Sequence, residues 1–158
     1  MTDVLITYRE AGGADVPAMA ECRRSDPAGG HADERMAAYF EGRHHPQQAL
    51  SPRVGYVALV DHRVVGYVAG HLTRRFQAEG ELQYLFVASG FRRLGLAHGL
   101  TKRLADWFVR QEVSRVCVNV DADSPAARLF YVSLGARDMR PHWMEWPDIS
   151  TVLGRPDL

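Results

Sequence analysis

Residues 81–108, ELQYLFVASGFRRLGLAHGLTKRLADWF, decide how the chain folds. ELQYLFV (81–87) is short and rich in aromatic and branched side chains, the composition of a strand. Leu96, Leu100, Leu104 and Trp107 then recur at helical spacing as one apolar stripe, and RVCVNV (115–120) returns to strand composition. A helix of about 15 residues between two strands has the length of a right-handed parallel crossover. FRRLGLAHG (91–99) falls at its first turn. Helix N-termini leave N–H groups unpaired and carry about half a positive charge, so they attract phosphate. Residues 92–98 supply such amides; Gly95 and Ala97 leave room for an anion, and Arg92 and Arg93 can add charge-assisted bonds. An ordinary strand-to-helix turn with solvated arginines fits the same glycine pattern, since short motifs match by chance.

Two nucleotide signatures fail here. A P-loop needs Gly-Lys-Ser/Thr after its second glycine, but Gly95 is followed by Leu96 and Ala97. The dinucleotide fingerprint Gly-x-Gly-x-x-Gly is absent as well, and the preceding chain is a hairpin meander.

Upstream, strand-like patches are VLITYR (4–9), VGYVALV (54–60) and VVGYVAGHL (64–72). Only DHR separates the last two, which makes them antiparallel neighbours. Asp15 is placed to cap a first helix with Pro17 in its opening turn, and a second helix runs near residues 33–41 after the breaker DPAGG. EGRHHPQQALSPR (41–53) reads as a polar connection. Downstream, a fourth helix runs from Ser124 to Leu134 and closes at Gly135, suited to a left-handed cap. A short strand at 136–140 and HWMEW (142–146) complete the order β, α, α, β, β, β, α, β, α, β, β. The reading is one domain over 1–158 with the last ten or so residues as a tail.

At 158 residues, nineteen Lys plus Arg balance nineteen Asp plus Glu, so no broad basic field is offered to nucleic acid or a membrane surface. The N-terminus lacks the order of a signal peptide, and the apolar runs are too short to span a bilayer. Cys22 and Cys117 form no disulfide framework, which fits a reducing cytoplasm. His44 and His45 lack partners at metal-ligand spacing, and no metal is expected. His71 reads as either an edge or core histidine or a wall of a substrate pocket.

The run 81–108 together with RVCVNVDADSPAARLFYVSLGA (115–136) resembles the GNAT superfamily of acyl-CoA N-acyltransferases. The pyrophosphate motif of that family appears as Arg92, Gly95 and Ala97. The second half of its signature appears as Ala127, Phe130-Tyr131 and Gly135. Two residues depart from the pattern: Ser89 stands where a proline is common and Ser124 where an asparagine is common. Ser124 still suits a helix cap, with Pro125 at the first helical position.

The resemblance implies an α+β fold with a mixed, mostly antiparallel sheet, splayed at its centre and flanked by about four helices. It implies acetyl-CoA as donor, with pyrophosphate on Arg92, Arg93, Leu94, Gly95, Leu96, Ala97 and His98, and pantetheine along Phe86 and Val87. A backbone N–H near Leu85 or Phe86 would polarise the thioester carbonyl. Ser124, Ala127 and Arg128 complete the cofactor set; Arg128 reads equally as a solvated helix arginine. The acceptor would be a primary amine of a small molecule or peptide. Such an amine is mostly protonated at neutral pH and needs a proton acceptor. Glu81 stands where some histone-acetylating members carry their base, and would work through water; it reads equally as a solvated strand-end carboxylate. Tyr131 is placed to donate to the departing sulfur, or to pack as a half-buried tyrosine. Residues 25–53, with GGHADER and HHPQQ, are expected to wall the acceptor side. Homodimers are common among such small transferases, although no interface is legible here. A non-catalytic acyl-CoA sensor would carry the same cleft.

Overall fold

A computed structural model describes residues 3–26, 34–121 and 124–156; GGHADER is therefore described only from Glu34 onward, and the expected helix start at 33 lies outside. Strands run over Ile6–Glu10 (β1), Ala49–Val60 (β2), Arg63–Thr73 (β3), Gly80–Val87 (β4), Val116–Asn119 (β5), Arg137–Arg140 (β6) and Trp143–Trp146 (β7). Helices run over Val16–Arg24 (α1), Glu34–Phe40 (α2), Leu96–Arg110 (α3), Pro125–Ser133 (α4) and Ser150–Leu153 (α5), with a 3-10 turn at Ser89–Leu94 before α3. Among the described residues the seven strands form one sheet in the order β1-β2-β3-β4-β5-β7-β6, an α+β arrangement in which only β4 and β5 are parallel.

Strand alternation distributes side chains to two cores. Tyr56, Ala58 and Val60 of β2 join the buried stripe of α3, where Leu96 and Leu100 are both 0% exposed and Leu104 1%. Val57 and Leu59 face the other way, against Met19 of α1 and Met36 of α2. The hairpin between β2 and β3 turns on two residues, Asp61 and His62, both at positive φ (49° and 70°). That is the backbone a two-residue turn between twisted strands demands.

Three local expectations are corrected. The polar connection ends early: residues 49–53 belong to β2, which accommodates Pro52 between Leu50 and Arg53 at a register irregularity. Asp15 does not cap α1 with its side chain. Its carboxylate instead accepts from the Gly12 N–H at 2.8 Å and from both terminal nitrogens of Arg9, which hold its pKa below the ordinary value. Within the expected tail, Ile149 and Val152 are 2% and 0% exposed, anchoring α5 in the main core. Gly135, at φ +99°, makes that docking feasible: a Cβ there would lie 2.8 Å from Thr151 Cγ2.

The feature that creates a site is the parting of β4 from β5. Parallel pairing runs only from Gly80, Glu81 and Leu82 to Val116, Cys117 and Val118. Beyond Leu82 the β3–β4 register skips Gln83, a bulge that turns the end of β4 away. Residues 83–87 thus keep β3 on one side and have no ladder to β5 on the other.

Candidate active site

A cavity of about 380 Å³ fills the gap. Leu85, Phe86 and Val87 of β4 form one wall, Arg92 and Ala97 the second, and Ser124, Ala126, Ala127, Phe130 and Tyr131 the third. Two helix N-termini therefore meet at one cleft. At the first, Gly95 holds φ +74°, a left-handed conformation costly to residues with a Cβ, and reverses the chain into α3. At the second, Ser124 occupies the cap position with Pro125 at the start of α4, but its side chain makes no capping bond. The first amides of each helix have no intrahelical acceptor by construction, so both ends present N–H groups and positive dipole ends. An unpaired strand edge beside two such ends suits an elongated ligand with amides at one end and phosphates at the other.

Nε of Arg92 donates to Val87 O at 3.1 Å, tying the loop to the end of β4. Asp26, from the segment after α1, accepts from both the backbone N–H and the hydroxyl of Ser89. Proline could supply neither donor, so the serine gives this loop a tether. Tyr131 is 7% exposed, with its ring edge-on to Trp146 at 5.5 Å. Its hydroxyl has no hydrogen-bond partner among the described residues. Burial raises its pKa, so the phenol stays protonated across the neutral range.

Other candidate residues stand apart from this cavity. Arg93 and Leu94 are exposed. Leu96 is core, and His98 is buried on the side of α3 that faces Tyr8, where Leu94, Gly95 and Gly99 line a different cavity. The side chains of Leu96 and His98 therefore leave only their backbone amides for the turn. Arg128 forms an ion pair with Asp138 on β6, Nε to Oδ1 at 3.1 Å, beside a third cavity near the β6–β7 turn.

Glu81 is not a solvated strand-end carboxylate: it is 4% exposed, between His71 of β3 and Cys117 of β5. Its Oε1 accepts from Arg75 Nε at 3.1 Å and lies 4.0 Å from Cys117 Sγ and 3.9 Å from His71 Nε2. Burial raises its pKa, with Arg75 opposing. The same burial pushes the Cys117 thiol up to about 12. His71, at 0% exposure, is a core residue whose Nδ1 meets the Tyr39 hydroxyl at 3.0 Å. Burial, aided by Arg53 and Arg75, lowers its pKa to about 4, so the ring is neutral. Sequence reasoning gave no site role to Phe130, named only within the signature, or to Ala126 as cleft walls, nor to Asp26 as the loop tether. The first two adjoin recognised positions; nothing local signals the third.

Among the described residues no group of His, Cys, Asp and Glu is arranged to hold a metal ion, and no helix is long and apolar enough to cross a membrane.

Known proteins share the fold. Residues 16–136 match the model of the acetyltransferase (GNAT) family. The chain is 30% identical over 93 residues to an uncharacterized N-acetyltransferase of Methanocaldococcus jannaschii, a match that spans 58% of either protein. Among solved structures, the fold is similar to the ribosomal-protein-S18-alanine N-acetyltransferase of Escherichia coli (TM-score 0.71, 18% identity, 91% of this chain and 94% of that one). It is also similar to the PaiA N-acetyltransferase of Thermoplasma acidophilum, solved in complex with coenzyme A (TM-score 0.66, 14% identity, 90% and 98%). The splayed sheet, the Gly95 turn and a family match over most of the length lead to one conclusion: the chain belongs to the GNAT acetyltransferase family.

Proposed function

We propose that the protein transfers the acetyl group of acetyl-CoA to a primary amine of a small molecule or peptide, by direct attack of the amine on the thioester. The observation that carries this reading is the convergence of an unpaired β4 edge, two helix N-termini and the buried Tyr131 hydroxyl on one cavity. Acyl-CoA supplies the activated thioester and a thiol leaving group. The amides at the starts of α3 and α4, with Arg92, hold phosphate oxygens; backbone groups of Leu85–Val87 pair with amides along the open edge. An N–H near Leu85 or Phe86 stabilises the developing oxyanion. Tyr131, kept protonated by burial, donates to the departing sulfur. Glu81 accepts the proton that frees the amine's lone pair, with water bridging the distance along β4. Arg93 and Arg128 lie outside the cleft walls, so Arg92 and the amides carry most of the phosphate binding in this scheme.

The test is thiol release from acetyl-CoA across a panel of amino acids, polyamines, aminoglycosides and peptides, alongside calorimetric CoA binding. Amine-dependent release supports transfer; CoA binding without release from any amine supports a sensor instead.

A further inference from the structure

His71 is buried at the middle of the sheet, opposite Glu81 in the β3–β4 register. Its Nδ1 is engaged by Tyr39, whereas its Nε2 is buried with no hydrogen-bond partner and points toward Glu81 Oε1 at 3.9 Å. Buried polar atoms are almost always satisfied, and catalytic hydrogen bonds are often long before substrate binds. The tautomer follows from the neighbours. Beside an ionised Glu81, which only accepts, an Nε2 lone pair would be repelled, and the compatible tautomer carries its proton on Nε2 while Nδ1 accepts from the Tyr39 hydroxyl. The charged and titratable groups around the pair are Tyr39 on α2, Arg53 on β2, Arg75 after β3, Tyr84 on β4, Cys117 on β5 and, next along the sheet, Glu145 on β7. Of these, Arg75 alone donates to Glu81 by a short hydrogen bond.

We propose that His71 is a positioning residue: its Nε2–H, fixed by Tyr39, closes onto Glu81 and holds that carboxylate ionised and aimed during proton acceptance. This rests on the reading of Glu81 as the base. Loss of a donor to a carboxylate raises its pKa, so the acid limb of the kcat/KM profile moves to higher pH.

The experiment compares pH–rate profiles of the wild type, Glu81→Gln, His71→Met and His71→Gln, with whichever amine of the panel above gives thiol release. The expected result is that Glu81→Gln removes the acid limb. His71→Met moves it up by about one pH unit and costs no more than a few-fold on the plateau, and His71→Gln, which keeps an N–H near the Nε2 position, returns it toward the wild type. If Glu81→Gln removes the limb while His71→Met leaves it in place, the inference fails and the base reading stands. If Glu81→Gln leaves the limb unchanged, the base reading fails and takes this one with it. Nitrogen-15 NMR of the wild-type imidazole is independent of any variant's folding: an Nε2–H signal supports the inference, and an Nδ1–H signal overturns it.

Discussion

Replacing Tyr131 by Phe removes one oxygen from the cleft wall and leaves the ring. The ring packs edge-on against Trp146 at 5.5 Å and tilted against Phe130 at 5.4 Å, contacts that Phe reproduces. The hydroxyl has no partner among the described residues, so folding stability changes by less than about 1 kcal/mol. The rate responds differently. A positioned general acid contributes roughly 10²–10⁴-fold, so kcat falls by that factor, about 3–5 kcal/mol in the barrier. CoA affinity stays within about two-fold, because the variant keeps the helix amides and the open strand edge that hold the cofactor. Stopped-flow thiol release at saturating acetyl-CoA gives kcat, and calorimetry gives Kd. A Phe variant within about three-fold of wild-type kcat would refute the acid role and leave Tyr131 as packing.

Three further outcomes follow from the same geometry. Gly95→Ala forces a Cβ into φ +74° and lowers stability by about 1–2 kcal/mol in urea unfolding, with CoA affinity falling in parallel. Asp26→Ala strips the acceptor from the Ser89 amide and hydroxyl and weakens CoA binding by about ten-fold, read by calorimetry, while mid-sheet hydrogen-exchange protection is unchanged. His71 titrates near 4 in the folded chain against 6.5 in the unfolded one, so the unfolded state binds more protons between these values. Stability contributed by neutral His71 is complete above pH 6.5 and is lost as pH falls toward 4, by about 3 kcal/mol at most. Glu81, whose pKa burial raises, works in the opposite direction, so the His71 share is read from the imidazole's own NMR titration in the folded and the denatured chain across that window.

The crossover was legible in the sequence because its signals are local. The stripe Leu96, Leu100, Leu104, Trp107 and the left-handed Gly95 each need only a few neighbours to be read, and both appear as expected. What stayed hidden depends on residues distant in the chain. Glu81 becomes a buried group because His71 on β3 and Cys117 on β5 flank it, 10 and 36 residues away. Asp15 looks like a helix cap until Arg9 takes its oxygens, and a tail becomes a helix because Ile149 and Val152 find a groove closed by Gly135. Arg128, read equally as a phosphate ligand or a solvated helix arginine, has an anionic partner in a strand that follows it. In each case the sequence names the side chain, and the pairing is decided by another part of the sheet.

The brief ladder between β4 and β5 also makes the sheet two plates hinged on a short seam. Among the described residues the meander β1–β4 and the trio β5, β7, β6 share strand pairing only through Gly80–Leu82, with one apolar core running beneath both. Such a joint is the sheet's mechanical weak line, and the cavity lies along it. A ligand that pairs with the open edge of β4 while touching α4 acts as a weld between the plates. Occupancy and rigidity then become one quantity, and amide exchange on the far plate becomes a gauge of what sits in the gap.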